Sequence, residues 1–446
     1  MRRIRRTLAT VLVIALALGG YAAFEWISEP TRPSLAAVRA APQAAAASAV
    51  QATCAPDAQL TAPPVATPPE IAVALGNGRL NSNDTGVSIW IDGIGEVATR
   101  DPDHQLLPAS NEKIFTAMGA LAVVGGDTTL TTTARATGPV VGGTLTGDLV
   151  LVGGGDPTLR IDGDHSLQEL ARQVAGTGIT QVTGKLLVDE SRYDNVRRAA
   201  GWEDAQMANA APISALMVNK NRHRSDTAFM ADPAIGNAEL FREQLADVGV
   251  NIAGGIEYGT APDGSLAAGV LTSETVRDMV DDMLVHSDNM IAEMLLKEAG
   301  RAAVGLGSTA GGVVAITDKL NREFCTSLLG IADDGSGLSR ADTRSAREWR
   351  QMLQAARTEP WWTEFVDGLP VAGRTGTLSG RMRGTAAQDN VHAKTGTIRD
   401  AVSLSGYGTT ASNRMFIFSV IVNGGSANGS ESSIDALVAA VASYSG

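Results

Sequence analysis

Histidine, cysteine and lysine are scarce in this 446-residue chain, and each shortage closes off a class of chemistry. The five histidines form neither an HExxH nor an HxxxH pattern, so no zinc site is expected. The two cysteines, Cys54 and Cys325, lie far apart and in no metal-ligand spacing. In an oxidising compartment they could form one disulfide tying an N-terminal segment to the body; two unpaired thiols are the equal alternative, and the sequence does not choose. Basic residues are also short: 36 Lys and Arg face 48 Asp and Glu, a net charge of −12, with no basic stripe beyond the extreme N-terminus. A polyanionic backbone has nothing to bind, so nucleic acid is not an expected partner. What remains, 44% hydrophobic and 19% charged, is ordinary globular composition with room for two or three domains.

The chain opens with Arg2, Arg3, Arg5 and Arg6 before an uncharged run from Thr7 to Phe24, the pattern of an export signal over residues 1–26. Gly20-Tyr21-Ala22 offers a cleavage point, and the run is also about long enough to stay as a membrane anchor. Either outcome leaves the body extracytoplasmic, in the cell envelope, with membrane contact only through this segment if it is uncleaved. Residues 27–70 hold eight of the seventeen prolines among alanines and read as a linker. A first body segment follows over 71–130. Val87, Ile89 and Ile91 alternate ahead of Asp92-Gly93, and Val97 lies in the return strand of a hairpin. From 131 to 271 short strands and glycine turns predominate, as in an inserted, strand-rich domain region. There Thr146–Val152 and Thr183–Val188 echo each other weakly, and Gly153–Pro157 is a turn that lacks the lysine of a phosphate cradle, so no cofactor is expected. Helical spacing returns at Val276, Met279, Val280 and Met283, behind Thr272 or Ser273 as N-cap. Helices are expected over 289–299, 308–322 and 342–356, then strands over 400–407 and 414–422 and a helix over 433–443. A sheet flanked by helices from both ends of the chain makes 71–130 and 272–446 one α+β sandwich.

Three short motifs carry chemistry. Ser110 and Lys113 stand three apart at a helix start, so they share a face and the amine can reach the hydroxyl. If the amine is neutral, it can take the serine proton as the hydroxyl attacks, without any histidine. The chain has six lysines and only this Ser-x-x-Lys. Ser287-Asp288-Asn289 ends the next helical stretch and can present a hydroxyl and an amide to a cleft. His286 beside it points about 100° away and reads as structural. Ser426-Ala427-Asn428 repeats the spacing in a glycine-rich turn and is set aside. Lys394-Thr395-Gly396-Thr397 precedes the alternating strand Ala401–Tyr407; a lysine, hydroxyls and a glycine on a strand edge suit an anionic ligand. Arg374-Thr375-Gly376-Thr377 mimics it without a strand behind it, leaving Arg374 a secondary role in shaping the site.

Ser-x-x-Lys, Ser-Asp-Asn and Lys-Thr-Gly in this order mark penicillin-binding proteins and class A β-lactamases. Together with Gly147–Leu159, Val276–Met279, Ser287–Glu293 and Asp334–Arg340, they make the chain resemble penicillin-binding proteins of the D-alanyl-D-alanine carboxypeptidase/endopeptidase group, peptidase family S13. The resemblance implies a penicillin-recognising α+β fold with an insertion between Lys113 and Ser287. It also implies serine-type D-Ala-D-Ala carboxypeptidase action on peptidoglycan stem peptides, with β-lactam antibiotics as covalent inhibitors. On that footing Ser110 is the nucleophile, Lys113 its base, and Ser287 relays a proton. Asn289, Lys394, Thr395, Gly396 and Thr397 hold substrate, with the amides of Ser110 and Thr397 as oxyanion donors. A second cation at Lys394 would lower the pKa of Lys113. The alternatives are a β-lactamase, which the insertion disfavours, and a non-catalytic wall-binding scaffold, which would need none of these side chains.

Overall fold

A computed structural model describes residues 65–76, 78–222, 228–305 and 307–446. The expected export segment, most of the linker and Cys54 lie outside those residues. Cys325 is disulfide-bonded.

The body opens with α1 (Pro69–Gly76), then β1 (Thr85–Ile91) and β2 (Gly95–Arg100), a hairpin turning at Asp92-Gly93 as its sequence predicts. Gly93 has φ +74°, the left-handed turn that glycine adopts without a Cβ penalty. The helix α2 (Glu112–Gly119) follows and runs into a π-helical turn over Ala120–Gly125. The chain then leaves for β3 (Thr129–Ala136), β4 (Val140–Val141), β5 (Thr144–Leu145), β6 (Leu149–Val152), α3 (Leu167–Gly176), β7 (Gln181–Val182), β8 (Leu186–Asp189), α4 (Pro233–Asp247), β9 (Asn251–Ile252), β10 (Ile256–Tyr258) and β11 (Leu266–Thr275). Five helices come next: α5 (Val276–His286), α6 (Asn289–Val304), α7 (Thr309–Phe324), α8 (Ala346–Ala356) and α9 (Trp362–Asp367). The strands β12 (His392–Ile398), β13 (Ala401–Thr409) and β14 (Met415–Asn423) and the helix α10 (Glu431–Ala442) close the chain.

Both ends of the chain share one antiparallel sheet, ordered β12-β13-β14-β1-β2, with Thr85 opposite Val422 where β1 meets β14. Side chains alternate across a strand, and β14 shows the two-sided result. Phe416, Phe418, Val420 and Val422 join the core with α1 and α10; Ile417 and Ile421 join the core with α2, α5, α6 and α8. The excursion from β3 to β11 builds two other sheets, one ordered β10-β8-β6-β3-β11 and a smaller one ordered β4-β5-β7-β9. The weak sequence echo acquires a meaning there. β6 and β8 lie side by side, parallel and in register, Leu149 against Leu186 and Leu151 against Val188, with the crossover helix α3 between them in sequence.

One boundary differs from expectation. Thr272 and Ser273 do not cap α5, because the sheet already uses them: Thr272 pairs with Thr131, and Ser273 Oγ accepts from Leu130 N at 2.8 Å. The cap is Thr275, which exchanges hydrogen bonds with Asp278 in a reciprocal capping box. A further hydrophobic cluster, with Trp202, Ala210, Ala211, Met290, Met294 and Leu338, joins the excursion to α6. Among the described residues no single helix is long and apolar enough to cross a membrane.

Candidate active site

The 3-10 turn Ala109–Asn111 delivers Ser110 at the head of α2. Ala109 has φ +50°, a strained value for a residue with a Cβ, so its surroundings must hold it. Ser403 Oγ donates to Pro108 O at 2.6 Å and Asn111 Nδ2 donates to Ser405 Oγ at 2.7 Å, tying the turn to β13. From the other side Gly337 packs so close that a Cβ there would collide with the Ala109 carbonyl oxygen. β12 crosses the same turn at Gly396, where a Cβ would stand 2.7 Å from Pro108 O. Ser110 keeps partial exposure at the bottom of the resulting cleft.

Lys113 is fully buried, yet its amine has three acceptors: Ser110 Oγ at 3.1 Å, Asn289 Oδ1 at 2.8 Å and Ser336 O at 2.6 Å. An ammonium can donate to all three. A neutral amine donates to two and offers its lone pair to the third, and the longest contact, to Ser110, is the one free to reverse. Burial lowers the Lys113 pKa to about 8, against the pull of Asp334, Glu293, Asp288 and Asp342, which favour the charged form. Burial, not the neighbouring cation Lys394, is therefore the chief cause, contrary to the sequence-based expectation.

Across the cleft Ser287 caps α5 in a left-handed conformation, φ +58°. Asp288 at once starts α6, its Oδ1 accepting from Met290 N at 2.9 Å and Ile291 N at 3.0 Å. A two-residue joint thus fixes Ser287 and Asn289 on opposite sides of one cap. Lys220 pins Asp288 from the excursion, and Asn289 Nδ2 donates to Asn209 O at 2.9 Å. Lys394, also fully buried, donates to Ser287 Oγ at 2.9 Å and to Thr395 O at 2.8 Å. Its pKa lies well below the usual lysine value, through burial first and the charge of Lys113 second. Among the described residues no carboxylate is a hydrogen-bond partner of it.

Two adjoining hollows share Ser110, Ser287 and Thr397. One, of about 390 Å³, is lined also by Gln206, Asn209, Asn289, Leu338, Ile398 and Arg399. The other, of about 240 Å³, is lined also by Thr377, Arg381, Thr395 and Glu431. The nucleophile candidate thus stands between two compartments, the arrangement needed when a bond is cut and each side of it must be held. β12 is an edge strand of its sheet, so an extended peptide can lie along it.

The structure brings Ser110, Lys113, Ser287, Asn289, Lys394, Thr395 and Thr397 to this one cleft, while Gly396 packs beneath it. His286 lies outside, exposed and paired with Asp282 at 2.7 Å. Arg374 is exposed and not part of the cleft lining, but the stretch it belongs to supplies Thr377, whose Oγ1 accepts from Thr395 Oγ1 at 2.8 Å. The sequence reading missed Asn209 and Gln206, which the excursion sends into the cleft wall. The Gln206 amide oxygen is buried there with no hydrogen-bond partner among the described residues. Among those residues no cluster of His, Cys, Asp and Glu could hold a metal ion.

The sequence matches the D-Ala-D-Ala carboxypeptidase 3 (S13) family over residues 69–229 and 223–444. It is 31% identical, over 84% of each chain, to D-alanyl-D-alanine carboxypeptidase of Actinomadura sp. (strain R39). It is also 31% identical to Carboxypeptidase Rv3627c of Mycobacterium tuberculosis, over 81% of this chain and 78% of that one. In fold it is similar to penicillin binding protein 4 (dacB) of Haemophilus influenzae, with a TM-score of 0.70 at 21% identity, covering 79% of this chain and 93% of that one. The architecture is therefore the penicillin-recognising α+β fold. Because the match runs through nearly all of the described residues, the chain belongs to the D-Ala-D-Ala carboxypeptidase 3 (S13) family and is a serine-type carboxypeptidase, a hydrolase.

Proposed function

We propose that this carboxypeptidase removes the terminal D-Ala from peptidoglycan stem peptides, outside the cytoplasm, through an acyl-enzyme on Ser110. The supporting observation is the meeting of two buried lysines at one cleft, Lys113 on the Ser110 hydroxyl and Lys394 on the Ser287 hydroxyl. Lys113 takes the Ser110 proton as Oγ attacks the penultimate D-Ala carbonyl. The backbone amides of Ser110 and Thr397 receive the oxyanion, each such donor being worth about 3–4 kcal/mol in the transition state. The C–N bond then breaks, and Ser287 passes a proton to the departing D-Ala amine. Asn289 binds a substrate amide, and Lys394 with Thr395 and Thr397 holds the terminal carboxylate. Water completes the cycle by hydrolysing the ester. In this reading residues 71–130 and 272–446 form the catalytic domain and 131–271 the inserted region that walls the cleft. The same acyl transfer from a D-Ala carbonyl whose amine partner belongs to a neighbouring stem would be DD-endopeptidase action on a cross-bridge.

A β-lactam has a carbonyl and a carboxylate in the same relation and would acylate Ser110 without rapid release. Intact-mass measurement after benzylpenicillin should therefore find one long-lived adduct, mapped to the peptide holding Ser110 and absent in Ser110→Ala. Immediate turnover of the drug would indicate a β-lactamase instead. Failure to release D-Ala from a peptide ending in D-Ala-D-Ala would remove the reading.

A further inference from the structure

The acylation scheme leaves one carboxyl behind the Lys113 amine without a task. Glu293 lies four residues after Asn289 on α6, so both look the same way, and it is fully buried. Its Oε1 accepts from Gly335 N at 3.1 Å and from Ser336 N at 2.9 Å. The carbonyl of that same Ser336 receives the Lys113 amine at 2.6 Å, the shortest of its three contacts. Glu293 Oε2 is buried with no hydrogen-bond partner among the described residues. A bare carboxylate oxygen is costly in such a place, whereas the oxygen of a neutral acid is tolerated.

The surroundings press the same way. Asp334 and Asp342 face the pocket from the 333–342 segment, and Asp288 from the start of α6. On α2 lie Lys113 itself and Glu112, which is paired with Arg344 at 2.8 Å; on β12 lies Lys394, on which the charge of Lys113 acts. Burial, with Asp334 adding to it, raises the Glu293 pKa to about 8, while its hydrogen bonds to Ser336 and Gly335 and the charge of Lys113 oppose the rise. Lys113 falls in the same range. Ammonium with carboxylate and free amine with carboxylic acid therefore hold equal numbers of protons and differ in where one of them sits.

We propose that Glu293 is a positioning residue for the Lys113 amine: it fixes the Gly335–Ser336 segment that anchors the amine, and its own charge selects between ammonium and free base. As a carboxylate it keeps the proton on Lys113; as a neutral acid it lets that proton go. Glu293 touches no substrate and transfers nothing to it. The proposal rests on Ser110 and Lys113 being the acylating pair.

The test is the pH profile of acylation by benzylpenicillin, followed by intact mass, in wild type, Glu293→Gln, Glu293→Asp and Glu293→Ala, with thermal unfolding as the check on folding. The glutamine keeps an oxygen for the two amides and removes the charge. Its acid limb should narrow to a single-proton step and move about one pH unit toward acid, as expected for loss of a nearby opposite charge. The aspartate keeps the charge but is too short to hold both amides, so its rate should fall while the limb stays at the wild-type position. The alanine should lose rate at every pH. A Glu293→Gln profile superimposed on wild type, or lowered uniformly like that of alanine, overturns the proposal. If the glutamine variant does not fold, a displaced limb in the aspartate variant does so. An adduct mapping away from Ser110 in wild type would instead defeat the acylation reading, whatever the Glu293 variants do.

Discussion

Lys113 and Lys394 are the same residue type, equally buried and facing one cleft, yet their surroundings are opposites. Lys113 is influenced by Asp334, Glu293, Asp288 and Asp342 and has three acceptors in reach. Lys394 has a hydroxyl and a backbone carbonyl, and the nearest charge that acts on it is another cation. The difference fits the roles proposed for them. A base must release and regain a proton near working pH, so carboxylates hold its pKa up against burial. A carboxylate receptor must be left hungry, so that the anion comes with the substrate and favours the charged form that burial disfavours.

The contrast can be broken at either end. Replacing the base should cost most: Lys113→Met should lower the acylation rate about 10³–10⁴-fold, the range for a general base, in stopped-flow measurements with a chromogenic β-lactam. Lys394→Met should instead fail on the carboxylate. Its kcat/KM for a peptide acid should drop on the order of 100-fold, as when one partner of a buried charge pair is removed, while its rate on the corresponding C-terminal amide hardly changes. Equal losses on both peptides would mean that the two lysines are not distinct in role. Acidification should act through Lys113: acylation needs the free amine, so the wild-type rate should fall as the pH drops below about 8, along the coupled titration of Lys113 and Glu293, and level off above it. A flat profile from pH 6 to 9 would assign the base elsewhere. The smallest effect belongs to the rim. Thr377→Val, which removes the hydroxyl bonded to Thr395, should raise KM about fivefold, the worth of one net hydrogen bond. Arg374→Ala should leave KM unchanged.

That last pair marks the limit of sequence reading at this site. The Arg-Thr-Gly-Thr stretch resembled the strand motif closely enough to attract notice, but its backbone forms a 3-10 turn over Gly376–Leu378 and puts the hydroxyl at the cleft and the guanidinium in solvent. Spacing reports which residues share a helix or strand face; it does not say which member of a turn faces inward. Ser110 with Lys113 was legible because both lie on one helical turn. Asn209 and Gln206 were not, since the contact from Asn209 O to Asn289 joins residues 80 apart and leaves no periodic trace. Helix periods were read well, as in α6 and α7, but the cap of α5 was misplaced because strand pairing outcompeted capping for Thr272 and Ser273. The sequence likewise pointed to Lys394 as what lowers the Lys113 pKa, because neither burial of the amine nor the carboxylates gathered around it from distant segments leaves a local trace.

The pairing of β1 with β14 governs the order in which a growing chain can finish this protein. Residues 129–275 contain every strand of their two sheets and can pair as soon as they are made. The first strands must wait: Thr85 meets Val422 only after more than 300 further residues have been added, a slow, long-range closure. The turn bearing Ser110 leans on Ser403 and Ser405 of β13, so it too is set last. A translation product ending before residue 400 would carry Ser110 in sequence and lack the strands that seat it.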